Sequence, residues 1–174
     1  MDGEVIAMHL IDKSFIRAPK SYIIQSLLAT TTVAIILYFV KLLNHEAIVA
    51  ALGSSAFVVF AMPNATTAQP RRLVGGHVVG LLSGSLCYYA FLTGPLGELI
   101  AVWEFTNLFV YALTVGISIF LMAVTNTEHP PASGTALGIV AHTWSYQIVS
   151  FVLLSAICLA VVRRLLRSHL RNLF

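Results

Sequence analysis

The chain has 174 residues, of which 58% are hydrophobic and only 10% charged, with a formal net charge of +3. Soluble domains carry about 25% charged residues, so this sequence lacks the polar surface to cover a soluble globule, and lipid is the solvent that suits it. The charge excess is too small to imply a nucleic-acid partner, and Cys87 and Cys158 stand alone in apolar runs, with no metal-ligand or redox spacing.

The first twenty residues are mixed polar and include Asp2, Glu4 and Asp12. They read as neither a signal peptide nor a transit peptide. The sequence predicts an all-α polytopic membrane helix bundle with about six segments. Segment one is Tyr22 to Leu43. Segment two, Ala47 to Met62, is about 24 Å long if helical. Segment three is Leu73 to Leu92 and segment four Phe105 to Val124. Segment five, Ala132 to His142, is about 16 Å long if helical, and segment six is Tyr146 to Val162. A full crossing takes about 20 residues, so segments two and five are either half-spans or helices that begin below the membrane surface.

Charge sets the expected orientation. Lys13, Arg17 and Lys20 precede segment one, Arg71 and Arg72 lie between segments two and three, and Arg163, Arg164, Arg167 and Arg171 follow segment six. Six crossings put all of these on the cytoplasmic side. Lys41, Glu46, Glu98 and Glu104 then fall outside. Four spans with two re-entrant pieces would place Arg71 and Arg72 outside, so six crossings are preferred. The expected organisation is a cytoplasmic segment 1–20, a transmembrane domain 21–163 and a basic cytoplasmic tail 164–174, in the plasma membrane.

Two stretches resemble each other: Ala68-Gln69-Pro70 before a helix with Gly75, Gly76 and Gly80, and His129-Pro130-Pro131 before a helix with Gly134 and Gly138. This is a possible parallel internal repeat. Proline suits a first helical turn, where its missing N–H would be orphaned anyway. The following amides of Ala132, Ser133 and Gly134 then lack intrahelical acceptors and carry the positive end of the helix dipole. At membrane depth an anion would complete them; alternatively Asn126 or Thr127 caps the helix and nothing binds.

His129 is a candidate to steady or protonate a passing anion, since imidazole titrates near neutrality when unperturbed, and Glu128 is placed to orient it. His77 is either a pore residue or an interfacial histidine bonded to a loop. His142, beside Trp144 and Tyr146, reads as part of an interfacial aromatic belt. Arg71 and Arg72 are either topogenic charge or an electropositive vestibule. Gln69, Ser54 and Ser55 are further candidate ligands. The four-residue spacing of Gly76, Gly80 and Gly84, and of Gly134 and Gly138, marks close helix packing within the chain or between copies in a homo-oligomer. No cofactor, metal site or nucleotide-binding motif is expected. A lone Glu–His neighbour pair without a nucleophile does not make an enzyme.

The run Thr125 to Gly138, TNTEHPPASGTALG, resembles the HPP family of small integral membrane proteins, named for the element present here as His129, Pro130 and Pro131. Gly53-Ser54-Ser55-Ala56, Ala68-Gln69-Pro70-Arg71 and Gly75-Gly76-His77 follow the family's order as well. The family's glycine after the two prolines is Ala132 here. Some members carry a C-terminal regulatory module, which is not expected within these residues. The resemblance implies a transporter or channel for nitrite or a similar small monovalent anion. A neutral-solute channel and a non-transporting subunit docked through its glycine faces are the alternatives.

Overall fold

The computed structural model describes residues 13–40, 46–100 and 105–174. Asp2, Glu4, Asp12, Lys41, Leu43 and Glu104 lie outside the described residues. A short helix α1 (Lys13–Arg17) leads into α2 (Pro19–Val40), followed by α3 (Glu46–Ala61) and a 3₁₀ turn Thr66–Ala68. Next come α4 (Pro70–Cys87), prolonged by a π turn Tyr88–Leu92, then α5 (Pro95–Ile100), α6 (Thr106–Thr125), α7 (Pro131–Ala141) and α8 (Tyr146–Leu166). Helix is the expected state, because a chain in lipid must satisfy its own backbone polar groups. Prolines open α2, α4, α5 and α7, where their fixed φ suits the first turn.

Helices α2, α4 with its π extension, α6 and α8 are each long and apolar enough to cross a membrane. Helices α3 and α7 are shorter: α3 runs between the same two ends of the bundle, whereas α7 begins inside it. At one end, Gln25 of α2 bonds the Phe60 carbonyl of α3 and the Arg171 carbonyl. There Leu173 N–H donates to the Ala61 carbonyl at 2.9 Å, and Arg163 Nε to the Pro63 carbonyl at 3.2 Å. Arg72 at the start of α4 pairs with Glu128 just past α6. At the other end, Trp144 Nε1 donates to Ser85 Oγ at 2.9 Å, and Trp144 packs on Tyr89 and Tyr146. The chain therefore alternates direction through α2, α3, α4, α6, α7 and α8. Its arginines gather at one end and an aromatic cluster at the other.

The predicted segments match these helices within a few residues, apart from two departures. Helix α8 runs past Val162 through Arg163 and Arg164 to Leu166; long cationic side chains reach the interface from a continuing helix. The tail after it folds back, burying Leu170 and Leu173. The stretch around Glu98, expected as an outer loop, holds the short helix α5.

Apolar side chains point both ways. Val59, Leu73 and Leu159 are fully buried where α3, α4 and α8 meet. Leu27, Leu82, Leu108, Phe120 and Leu154 project outward and are exposed, an arrangement that water penalises and lipid accepts.

Helix α7 is held by backbone contact. A Cβ on Gly84 would lie 2.7 Å from the Ala136 carbonyl oxygen, and one on Gly80 would strike the Ala132 carbonyl. On the opposite side, a Cβ on Gly138 would lie 2.7 Å from Ile48 of α3. These glycine faces are thus consumed inside the chain. The homo-oligomer seam expected from them is not open to a second copy, because α7 fills the α4 face and α3 the α7 face. Helices α4 and α7 run in the same direction, as a parallel repeat requires.

Candidate functional site

The stretch before α7 explains its shortness. Asn126 ends α6 in the left-handed conformation, at φ 54°, which asparagine tolerates better than most residues. Thr127 N–H then donates to the Met122 carbonyl at 2.9 Å. The chain next runs down beside α4: Gly75 faces Thr127, and Gly76 faces His129 and Ala132. Gly76 lies about 9 Å along α4 from Pro70 at 1.5 Å per residue. Irregular backbone at that depth survives only when enclosed by protein, and two glycines without side chains leave the room.

This descent buries His129 completely and brings it to His77 of α4, with ring centroids 5.2 Å apart. Ser55 of α3 sits between them. Its Oγ is 2.9 Å from His77 Nε2 and 3.0 Å from His129 Nε2. His77 Nδ1 is 2.9 Å from Thr135 Oγ1 of α7, and His129 Nδ1 is 2.9 Å from the Thr67 carbonyl oxygen. Ser55, His77, His129 and Thr135 are all buried.

The hydrogen bonds of the neutral chain share one direction. A carbonyl only accepts, so His129 Nδ1 carries a hydrogen and donates it to Thr67. In the neutral ring Nε2 is then an acceptor, and the Ser55 hydroxyl donates to it. Ser55 has one proton, so it accepts from His77 Nε2–H, and His77 Nδ1 accepts from the Thr135 hydroxyl. The bonds run Thr135 to His77 to Ser55 to His129 to Thr67. A proton delivered at Thr135 and passed along reverses the first three bonds. It leaves His129 doubly protonated, with its bond to Thr67 unchanged. Ser55 Oγ also lies 2.9 Å from the Ala51 carbonyl. Donation there fits only a cationic His129 that donates from both nitrogens. Two imidazolium charges so close in a low-dielectric interior repel strongly, so the pair holds at most one extra proton.

Other candidate residues lie elsewhere. Ser54, next to Ser55, faces outward and donates to the Ala50 carbonyl at 3.0 Å. The amides of Ala132 and Ser133, expected to lack acceptors, donate to the carbonyls of His129 at 2.8 Å and Pro130 at 3.2 Å. The turn through the two prolines folds those carbonyls back over the helix start. Ser133 Oγ also donates to Pro130 O, at 2.8 Å, and Gly134 rests against Ala51. Neither Asn126 nor Thr127 caps α7. The Asn126 amide oxygen accepts from Arg72, and the Thr127 hydroxyl bonds that of Thr125 at 2.8 Å. Glu128 pairs with Arg72 rather than orienting His129, which partly neutralises the expected basic vestibule. Arg71 and Gln69 are exposed at the same end. His142 is hydrogen-bonded to the Gly138 carbonyl at 2.9 Å, near the aromatic end.

Sequence reasoning passed over Thr135 and the Thr67 carbonyl. Thr135 and Ser133 are the two polar residues flanking Gly134 in an otherwise apolar helix, and only Ser133 was singled out. A backbone carbonyl gives none. Among the described residues no group of three His, Cys, Asp or Glu side chains is placed to hold a metal ion.

Comparison with known proteins agrees with this architecture. Residues 16–172 match the family described as HPP, transmembrane region. A transmembrane protein of Dictyostelium discoideum is 33% identical over 92 residues, 53% of this chain and 29% of that protein. A second from the same organism is 34% identical over 85 residues, 49% of this chain and 24% of that protein. The matched region thus spans less than a third of either relative. No solved structure matches. The family match runs through the His129-Pro130-Pro131 element and nearly the whole helical bundle, and the chain belongs to the HPP family of transmembrane proteins.

Proposed function

We propose that this protein is a membrane transporter or channel for nitrite or a similar small monovalent anion. The passage lies where the two proline-initiated helices α4 and α7 meet α3. The observation that carries the reading is the enclosed chain Thr135–His77–Ser55–His129, about 10 Å inside the bundle at 1.5 Å per helical residue. Ionisable groups at membrane depth are costly and mark substrate or proton routes.

The chemistry favours passage as the neutral protonated acid. The amides of Ala132 and Ser133 are already bonded, and Arg72 is paired with Glu128. Little unpaired positive charge remains beside the histidines to hold a bare anion. A histidine pair that passes one proton suits a substrate that gains one on entry and loses it on exit, which avoids moving a naked charge through an apolar interior. The arginine-rich end faces the cytoplasm by the positive-inside rule, and the plasma membrane is the proposed location. The same lack of unpaired positive charge also favours a second reading, a channel for a neutral solute, in which His129 has no part in selectivity.

Nitrite uptake into proteoliposomes, for wild type and His129→Gln, tests this. We expect wild-type uptake above that of empty liposomes, rising as the pH of the feeding side falls, and a loss of that pH response in His129→Gln. Uptake no faster than in empty liposomes, from correctly inserted protein, would discard the anion reading. Permeation of neutral solutes unaffected by His129→Gln would favour the second.

A further inference from the structure

Ser155 of α8 is buried, and its hydroxyl has no hydrogen-bond partner among the described residues. Other buried serines and threonines behave differently. Ser83 and Thr114 each reach the carbonyl four residues back, at 2.8 and 2.7 Å, and Ser118 reaches the one three residues back at 2.8 Å. Ser155 forgoes that bond and lines a cavity of about 10 Å³ that His77 and Thr135 also line. A buried hydroxyl left unbonded costs about 1–3 kcal/mol. A fully apolar cavity stays dry, but one with several polar groups and room for roughly one water-sized sphere holds a water.

We infer that this cavity is a binding site for a single water molecule, held between Ser155 and Thr135, that carries the histidine–serine chain on to α8. Thr135 spends one hydrogen bond on His77 Nδ1 and keeps capacity for a second. Ser155 has its donor and its acceptor unused. The water takes at least two bonds and satisfies the orphan hydroxyl. Ser155 lies about 14 Å along α8 from Tyr146, near the middle of the helix, at 1.5 Å per residue. The polar chain then runs from Thr67, near the arginine-rich end, to mid-bundle. The water thereby extends the hydrogen-bonded chain from Thr135 to the Ser155 hydroxyl on α8. This inference rests on the cavity and its hydroxyls, not on which solute the protein carries.

Hydroxyl-radical footprinting by brief X-ray exposure tests it, on the full chain in nanodiscs. Bound water generates radicals in place and oxidises the side chains around it, even when they are shielded from bulk solvent. Phe151 lines the cavity and Phe60 lies outside it, and each is only 2% exposed. We expect Phe151 to be oxidised several-fold faster than Phe60. In Ser155→Ala and Thr135→Val that excess falls to the Phe60 rate. Equal rates for the two phenylalanines in wild type would overturn the inference, as would an excess unchanged in both variants. If either variant fails to fold, the wild-type comparison alone decides. A dry cavity would leave the transport reading standing, and failed nitrite uptake would leave the water site standing.

Discussion

Substituting Ser55 by alanine removes one oxygen and unpairs two histidines at once. His129 Nε2, 3.0 Å from Ser55 Oγ, loses its donor, and His77 Nε2, 2.9 Å away, loses its acceptor. Both rings are buried, His129 fully. Each orphaned buried group costs about 1–3 kcal/mol, so Ser55→Ala is expected to destabilise the bundle by about 2–5 kcal/mol. Ser54→Ala is the internal control. It makes the same chemical change one residue away, on the outward face, and removes only a bond to the Ala50 carbonyl. Its expected effect is within about 0.5 kcal/mol of zero. Tryptophan fluorescence during an SDS titration in mixed micelles reads both. If the two variants unfold at the same SDS fraction, Ser55 does not bridge the histidines and the proton accounting built on it fails.

Gly80→Val drives a side chain into the Ala132 carbonyl and should cost about 1–3 kcal/mol by overpacking, whereas Gly116→Ala, with nothing within 4 Å, should stabilise by about 0.4–1 kcal/mol; the same SDS titration ranks them. Gln25→Leu removes the clamp between α2, α3 and the tail, so trypsin should cut after Arg171 faster than in wild type, while an unchanged rate would show that the clamp does not hold the tail. Glu128→Gln releases Arg72 from its ion pair. If nitrite enters at this end, the variant should show a lower apparent KM that rises with ionic strength, because the freed charge is screened by salt.

Much of this protein is legible in its residues. Low charge and long apolar runs dictate helices in lipid, and the arginines mark one end of the bundle. Pro70 and Pro131 mark where α4 and α7 begin, and the spacing of Gly76, Gly80 and Gly84 announces a close helix contact. These are local or compositional properties, and each follows from the backbone's need to satisfy itself in a solvent without water. Tertiary structure decided which surfaces those signals serve. The glycine faces close on α3 and α7 rather than on another copy, because α7 is short enough to sit between its neighbours.

The amides after the prolines are bonded by carbonyls that only the folded turn brings back over them. Of two adjacent serines, one joins a pair of histidines and the other faces outward, a choice set by the roughly 100° step between helical residues and by where α4 and the His129 stretch happen to lie. Thr135 and the Thr67 carbonyl completed the chain without a motif of their own. The sequence by itself determined that polar and ionisable groups would be carried into the membrane. Only the fold decided which of them meet, because partners 22, 58 and 74 residues apart come within hydrogen-bonding distance through helix packing alone.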